Sequence, residues 1–161
     1  MAATHVVGIS DCKVATDPAD TVVTYALGSC VGLALYDRQA HIGGLLHIML
    51  PESRLRSSVR EFNPFMYADS GFYELLKELT ARGARKDRLE ARAAGGANML
   101  RHSDLLDIGQ RNAEAILRML ALEHLPVVGT SLGGVVGRSM ALRLADGTVT
   151  VRLLGRGEEV L

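Results

Sequence analysis

Apolar and polar residues along the chain fall into short strand-like runs interrupted by two helical stretches. Residues 6–14 and 21–27 read as strands, the second rich in β-branched side chains and the first broken near Asp11 and Cys12. Residues 31–36 and 42–50 are two further apolar runs around Asp37-Arg38-Gln39-Ala40, a polar break with an aspartate where turns favour one. Residues 51–64, with three serines and two prolines, read as a long surface loop. Residues 67–82 place Phe72, Leu75, Leu76 and Leu79 at helical spacing, with Asp69 or Ser70 to cap the start and Gly83 to end it. A short strand at 89–94 runs into a Gly-Gly-Ala turn. A second helix at 109–124 carries Ala113, Ile116, Leu117, Leu120 and Leu122 as its apolar positions. Residues 126–128 open another strand, and 138–144 and 148–154 alternate around Asp146-Gly147, a hairpin signal. Many strands with two helices far apart in sequence predict an α+β layered fold, and 161 residues suit a single domain, 1–161.

The central hairpin matters most, because it carries a cysteine and a histidine. Cys30 follows Gly28-Ser29 at the start of one run, and His47 lies near the end of the next. With Asp37 opposite Ala40, Tyr36 faces His41, Ala34 faces Gly43, Gly32 faces Leu45, and Cys30 faces His47. Directly opposed side chains share a face with Cβ atoms roughly 4.5–5.5 Å apart, within reach of a thiol–imidazole contact that would lower the thiol pKa. The other face, Val31, Leu33, Leu35, Ile42, Leu46 and Ile48, reads as core. Gly32, Ala34 and Gly43 would let a covering layer or a substrate approach the Cys30/His47 face. This register predicts a nucleophile and base fixed by strand pairing and preformed without substrate.

Composition narrows the field. The net charge is zero, so nothing points to a nucleic-acid partner. The basic stretch from Arg82 to Arg88 reads as a solvated helix end and loop. Two cysteines, Cys12 and Cys30, are too few for a disulfide scaffold. The N-terminus shows no signal-peptide pattern and no run is long enough for membrane insertion, so the expectation is a soluble, cytoplasmic protein with reduced thiols. No spacing supports a metal site and no cofactor is expected. Of five histidines, His5, His41, His102 and His124 fall in a tail, beside a turn, in a polar loop and at a helix end. Gly129-Thr130-Ser131-Leu132-Gly133 fits the G-x-S-x-G pattern, but no histidine follows Ser131 and the next segment is not helical, so it reads as a glycine-rich turn.

Residues 24–31, Thr-Tyr-Ala-Leu-Gly-Ser-Cys-Val, and residues 47–51, His-Ile-Met-Leu-Pro, resemble the chemoreceptor glutamine deamidases of the CheD family. Tyr67-Ala68-Asp69, residues 90–97, Ile108-Gly109-Gln110-Arg111-Asn112 and residues 133–138 resemble later family blocks in the same order. Ala26 stands where the family often has glycine, and Ser131-Leu132 where it usually has an acidic residue. The resemblance implies an α/β/β/α sandwich with mostly antiparallel strands. It implies a protein-glutamine deamidase using Cys30 as nucleophile, His47 as base and Thr24 to orient the imidazole, with the oxyanion at the Gly28-Ser29 turn and Cys30. Methyl-accepting chemotaxis receptors are the implied substrates, and glutamyl methyl ester hydrolysis uses the same acyl-enzyme logic. A CheC-type phosphatase is the implied partner. The competing reading is a regulatory binding module for that phosphatase with catalysis secondary or lost.

Overall fold

A computed structural model of the chain describes residues 1–56, 61–99 and 107–161. In chain order the strands are β1 (Thr4–Val7), β2 (Asp11–Ala15), β3 (Thr21–Leu27), β4 (Val31–Asp37) and β5 (Ile42–Ile48), then helix α1 (Ala68–Ala81) and β6 (Leu89–Gly95). Helix α2 (Ile108–Leu122) is followed by β7 (Val127–Leu132), β8 (Arg138–Arg143), β9 (Val149–Leu153) and β10 (Gly157–Val160). Two five-stranded sheets result, ordered β1-β3-β8-β9-β10 and β2-β5-β4-β6-β7. Most neighbours are antiparallel; β1 with β3 and β6 with β7 are parallel. The expected α+β sandwich is present. Both helices lie over one face of the β4-containing sheet and touch each other, so the described layers run helices, sheet, sheet.

Why β4 and β5 occupy the middle layer follows from their composition: every residue in both is buried. One face, Val31, Leu33, Leu35, Ile42, Leu46 and Ile48, packs against Phe72, Leu75, Leu79, Ile116 and Leu120 of the helices. That is the core-facing set the alternation predicted. The opposite face is interior as well, with Ala34, Tyr36 and Leu45 packing on Val22, Met140, Leu142 and Val151 of the second sheet. Here the glycines set the spacing between layers. A Cβ on Gly32 would stand 2.9 Å from Met140 Sδ, and one on Gly43 2.8 Å from Leu142 Cδ2. The small residues therefore admit a covering sheet.

The β4–β5 register differs from the predicted one by two residues. Gly32, not Cys30, lies opposite His47, and Asp37 pairs with Ile42. The reason is the turn. Asp37 sits below it and caps it, its Oδ1 accepting from the Gln39 and Ala40 amides at 3.1 Å. Residues 38–41 then form a four-residue loop with His41 in the left-handed region, φ +53°. Arg88 approaches the fully buried Asp37 carboxylate at 2.8 Å and holds its pKa below the usual range against the opposing cost of burial. Because the shift is even, every side chain keeps its face.

Smaller differences have local causes. The break between β1 and β2 falls at 8–10, where Ser10 has φ +58°, ahead of Asp11. Helix α1 starts without a side-chain cap because its N-cap position is Tyr67; Asp69, inside the first turn, holds the Ser53 amide at 2.9 Å, whereas Asp107 caps α2 through the Gln110 amide. Leu117 and Leu122 of α2 face outward, and Gly109, Asn112, Ala115 and Met119 share the buried stripe with Ile116 and Leu120. The 129–133 stretch lies largely within β7. The β10 strand has no counterpart in the sequence reading; Glu158 and Glu159 disguise it as a polar tail. The basic stretch runs from the end of α1 into a short 3-10 turn, Lys86–Arg88, whose Arg88 and Lys86 pair with Asp37 and Glu123. Among the described residues no helix is long and apolar enough to cross a membrane.

Candidate active site

Thr24 and His47 come from different sheets and meet between them. His47 lies on β5, flanked by β4 on one side and β2 on the other, where Asp11 is its register partner. Thr24 lies on β3, between β1 and β8. Both are completely buried. Thr24 Oγ1 stands 2.8 Å from His47 Nδ1 and donates to the Val7 carbonyl, also at 2.8 Å. These two contacts assign the imidazole tautomer. A hydroxyl has one hydrogen, and a carbonyl can only accept it. Nδ1 must then carry a hydrogen and donate to Oγ1, which leaves the lone pair on Nε2. Nε2 is buried and has no hydrogen-bond partner among the described residues. Burial pushes the imidazolium pKa down to about 4, so the ring is neutral at physiological pH.

Cys30 sits one residue ahead of β4, on a turn that leaves β3 through a bulge. The β3–β8 register shifts between Thr24 and Leu27, and Ala26 takes φ +58°. An alanine there bears a strain that glycine would not. All three carbonyls of the following turn are taken: Gly28 by the Ala97 amide, Ser29 by Asn112 Nδ2, and Cys30 by the Gly96 amide, each at 2.9 Å. The Gly28 amide bonds back to Ala26, whereas those of Ser29 and Cys30 have no acceptor on another residue among the described residues. The Cys30 amide lies against its own sulfur and favours the thiolate. Burial outweighs it and pushes the thiol pKa up.

Three sequence expectations change here. Cys30 is not the register partner of His47. It packs at the margin of the same inter-sheet cluster that His47 faces, so the shared face survives but the direct opposition does not. Its pKa is raised, not lowered, because burial outweighs the one favourable contact, from its own amide. Only the Thr24–His47 half of the site is preformed, since Nε2 makes no hydrogen bond to the thiol.

Other candidates resolve simply. The Cys12 thiol is pushed up to about 12 by burial and by Asp11. His5 pairs with Asp20 at 2.7 Å, and His41 stands 3.1 Å from the Tyr36 hydroxyl. His102 lies outside the described residues. Two buried polar side chains near the turn escaped the sequence reading. Asn112 donates to both Ser29 and Met49 carbonyls at 2.9 Å, and Arg138 donates to the Gly95 carbonyl at 3.0 Å. A signal for Asn112 existed: a polar residue four positions from Ile108 and from Ile116, on the buried stripe.

A family model described as CheD chemotactic sensory transduction matches residues 49–153. The chain belongs to the CheD family. The match begins two residues after His47, and full-length relatives extend the likeness to the N-terminal CheD strands. A protein of Solibacter usitatus is 39% identical over 156 residues, covering 97% of this chain and 92% of its own length. One of Symbiobacterium thermophilum is 44% identical over 96% of this chain and 95% of its own. One of Clostridium novyi is 42% identical over 94% and 93%. All three CheD relatives are named probable chemoreceptor glutamine deamidase.

Proposed function

We propose that this chain deamidates glutamine side chains of chemotaxis receptors, with Cys30 as nucleophile, His47 as base and Thr24 orienting the imidazole. The observation that carries the reading is the Thr24–His47 pair. It leaves an unprotonated, unpartnered Nε2 on the inter-sheet face at whose margin Cys30 sits. The family and the names of its relatives supply the substrate class.

At rest the pair is thiol and neutral imidazole, so proton transfer accompanies attack. Cys30 Sγ adds to the side-chain amide carbon of a receptor glutamine while Nε2 takes the thiol hydrogen. The amide oxygen becomes an oxyanion held by the Ser29 and Cys30 amides, which have no acceptor on another residue among the described residues. The imidazolium returns its proton to the nitrogen, ammonia leaves, and a thioester remains. Water, deprotonated by Nε2, hydrolyses it to glutamate and free thiol. Glutamyl methyl esters would follow the same route with methanol as leaving group. A neutral threonine orients the ring without the charge that a carboxylate would bring to the imidazolium. The depressed pKa fits this, since its cause is burial.

The test is mass spectrometry of a receptor cytoplasmic fragment incubated with the protein. The expected result is the mass increase of amide-to-acid conversion at particular glutamines, lost in Cys30→Ala. No conversion, or equal conversion by Cys30→Ala, refutes the reading.

A further inference from the structure

The β4–β5 ladder ends at the Val31–Ile48 pair. Continued by one rung, it would join Cys30 to Met49, and by two, Ser29 to Leu50. The strands part there instead, and a side chain from α2 fills the gap. Asn112 is fully buried, and its single Nδ2 reaches the Ser29 carbonyl on one side and the Met49 carbonyl on the other, both at 2.9 Å. We infer that Asn112 is a positioning residue, a clamp that sets the distance between the Cys30 turn and the end of the His47 strand. This rests on the function proposed above.

The chemistry selects an amide for this task. One nitrogen with two hydrogens can serve two carbonyls at once; a hydroxyl has one hydrogen, and a carboxylate has none. The other end of the amide argues against a purely structural role, because Oδ1 is buried with no partner among the described residues. An unmatched buried acceptor costs stability, and a residue retained for packing would be apolar.

The helix cannot shift to relax the clamp. A Cβ on Gly109 would stand 2.3 Å from the Ala97 carbonyl oxygen, so the first turn of α2 is pressed onto the 96–97 backbone. That backbone in turn donates to the Gly28 and Cys30 carbonyls. The consequence is a turn gripped by its carbonyls, with the Ser29 and Cys30 amides left to meet an oxyanion. Loosening Asn112 would let the turn rotate and misdirect both amides.

Asn112→Asp keeps the shape and leaves at most one hydrogen, carried only by the protonated acid, so it cannot serve both carbonyls; Asn112→Ser keeps a single donor. Receptor-fragment deamidation and alkylation of Cys30 by iodoacetamide are measured together. Alkylation is a displacement that forms no oxyanion. The clamp predicts a kcat lower by about 100-fold in Asn112→Asp, the scale of a misplaced reacting group. KM and the alkylation rate should stay within about threefold. Unchanged kcat per folded molecule, with only a lower melting temperature, overturns the inference. In the native protein both Asn112 side-chain amide hydrogens should exchange slowly with solvent by 15N NMR. Fast exchange overturns it even if neither variant folds. A parent protein that deamidates nothing refutes the function itself, whereas an active parent with an equally active Asn112→Asp refutes only the clamp.

Discussion

Replacing Thr24 by valine tests the assignment of the imidazole tautomer most directly. Valine fills almost the same volume, so the change is confined to the hydroxyl. That hydroxyl bridges the Val7 carbonyl and His47 Nδ1 at 2.8 Å each, in a fully buried position. Its loss strands two buried polar groups, at about 1–3 kcal/mol each. The extra apolar methyl recovers on the order of 1 kcal/mol. The net is about 1–5 kcal/mol, and at about 2–4 °C per kcal/mol for a chain of this size the melting temperature should fall by about 2–20 °C. Activity should suffer more. Without Oγ1 nothing holds the Nδ1 hydrogen, the ring is free to turn or change tautomer, and the base at Nε2 is lost. General acid–base catalysis contributes about 100-fold or more, so kcat for deamidation should drop by at least that. Thr24→Ser keeps the hydroxyl and should recover most of the rate. Thermal melts by circular dichroism and time-resolved mass spectrometry of a receptor fragment give both readouts. A Thr24→Val protein with kcat within threefold of the parent would show that the hydroxyl does not orient the base.

Other outcomes follow from the same geometry. Cys30→Ala and Cys30→Ser should both be nearly inactive and remain folded, while Cys12→Ser keeps most activity; labelling of Cys12 rather than Cys30 by a glutamine-like electrophile would contradict this. Because burial takes the His47 pKa from 6.5 to about 4, the unfolded chain binds a proton that the folded one refuses between those values. Stability from this group is present above about pH 6.5 and lost as pH falls towards 4, by on the order of 3 kcal/mol in all. Denaturant titrations of the parent and of His47→Gln should differ in slope across that window, and equal slopes would count against the neutral buried ring. The acid limb of kcat/KM should lie well below pH 6.5, and a midpoint at 6.5 would mean an exposed, ordinary histidine. Ala26→Gly should raise stability by about 1 kcal/mol by relieving a left-handed alanine, measurable as an upward shift in melting temperature.

Much of the fold was legible because burial imposes strict periodicity. The faces of β4 and β5, the position of α1 and the hairpin at Gly147 all follow from alternation, helical spacing and turn chemistry. The register was not legible, since Asp37 is suited both to sitting in a turn and to capping one, and only the cap is compatible with His41 turning left-handed. The electrostatics were hidden for a related reason. Whether a cysteine near a histidine is activated depends on burial and on which face the covering layer takes, and neither is local. The Val7 carbonyl was invisible in principle, being main chain, whereas Asn112 was visible as a polar intruder on an apolar stripe. Strand β10 was missed because Glu158 and Glu159 lie on an exposed edge, where no alternation is required.

Thr24 and His47 belong to different sheets, and the order of synthesis gives that division a meaning. Cys30, just ahead of β4, and His47, on β5, are made early. The β3 strand, which carries Thr24, gains its antiparallel neighbour only once β8, beginning at Arg138, has been made. Until β8 is made, Thr24 is held by β1 alone, and the contact that fixes the His47 tautomer lacks one of its two supporting strands. Under the proposed function, activity depends on a strand made more than a hundred residues after Thr24.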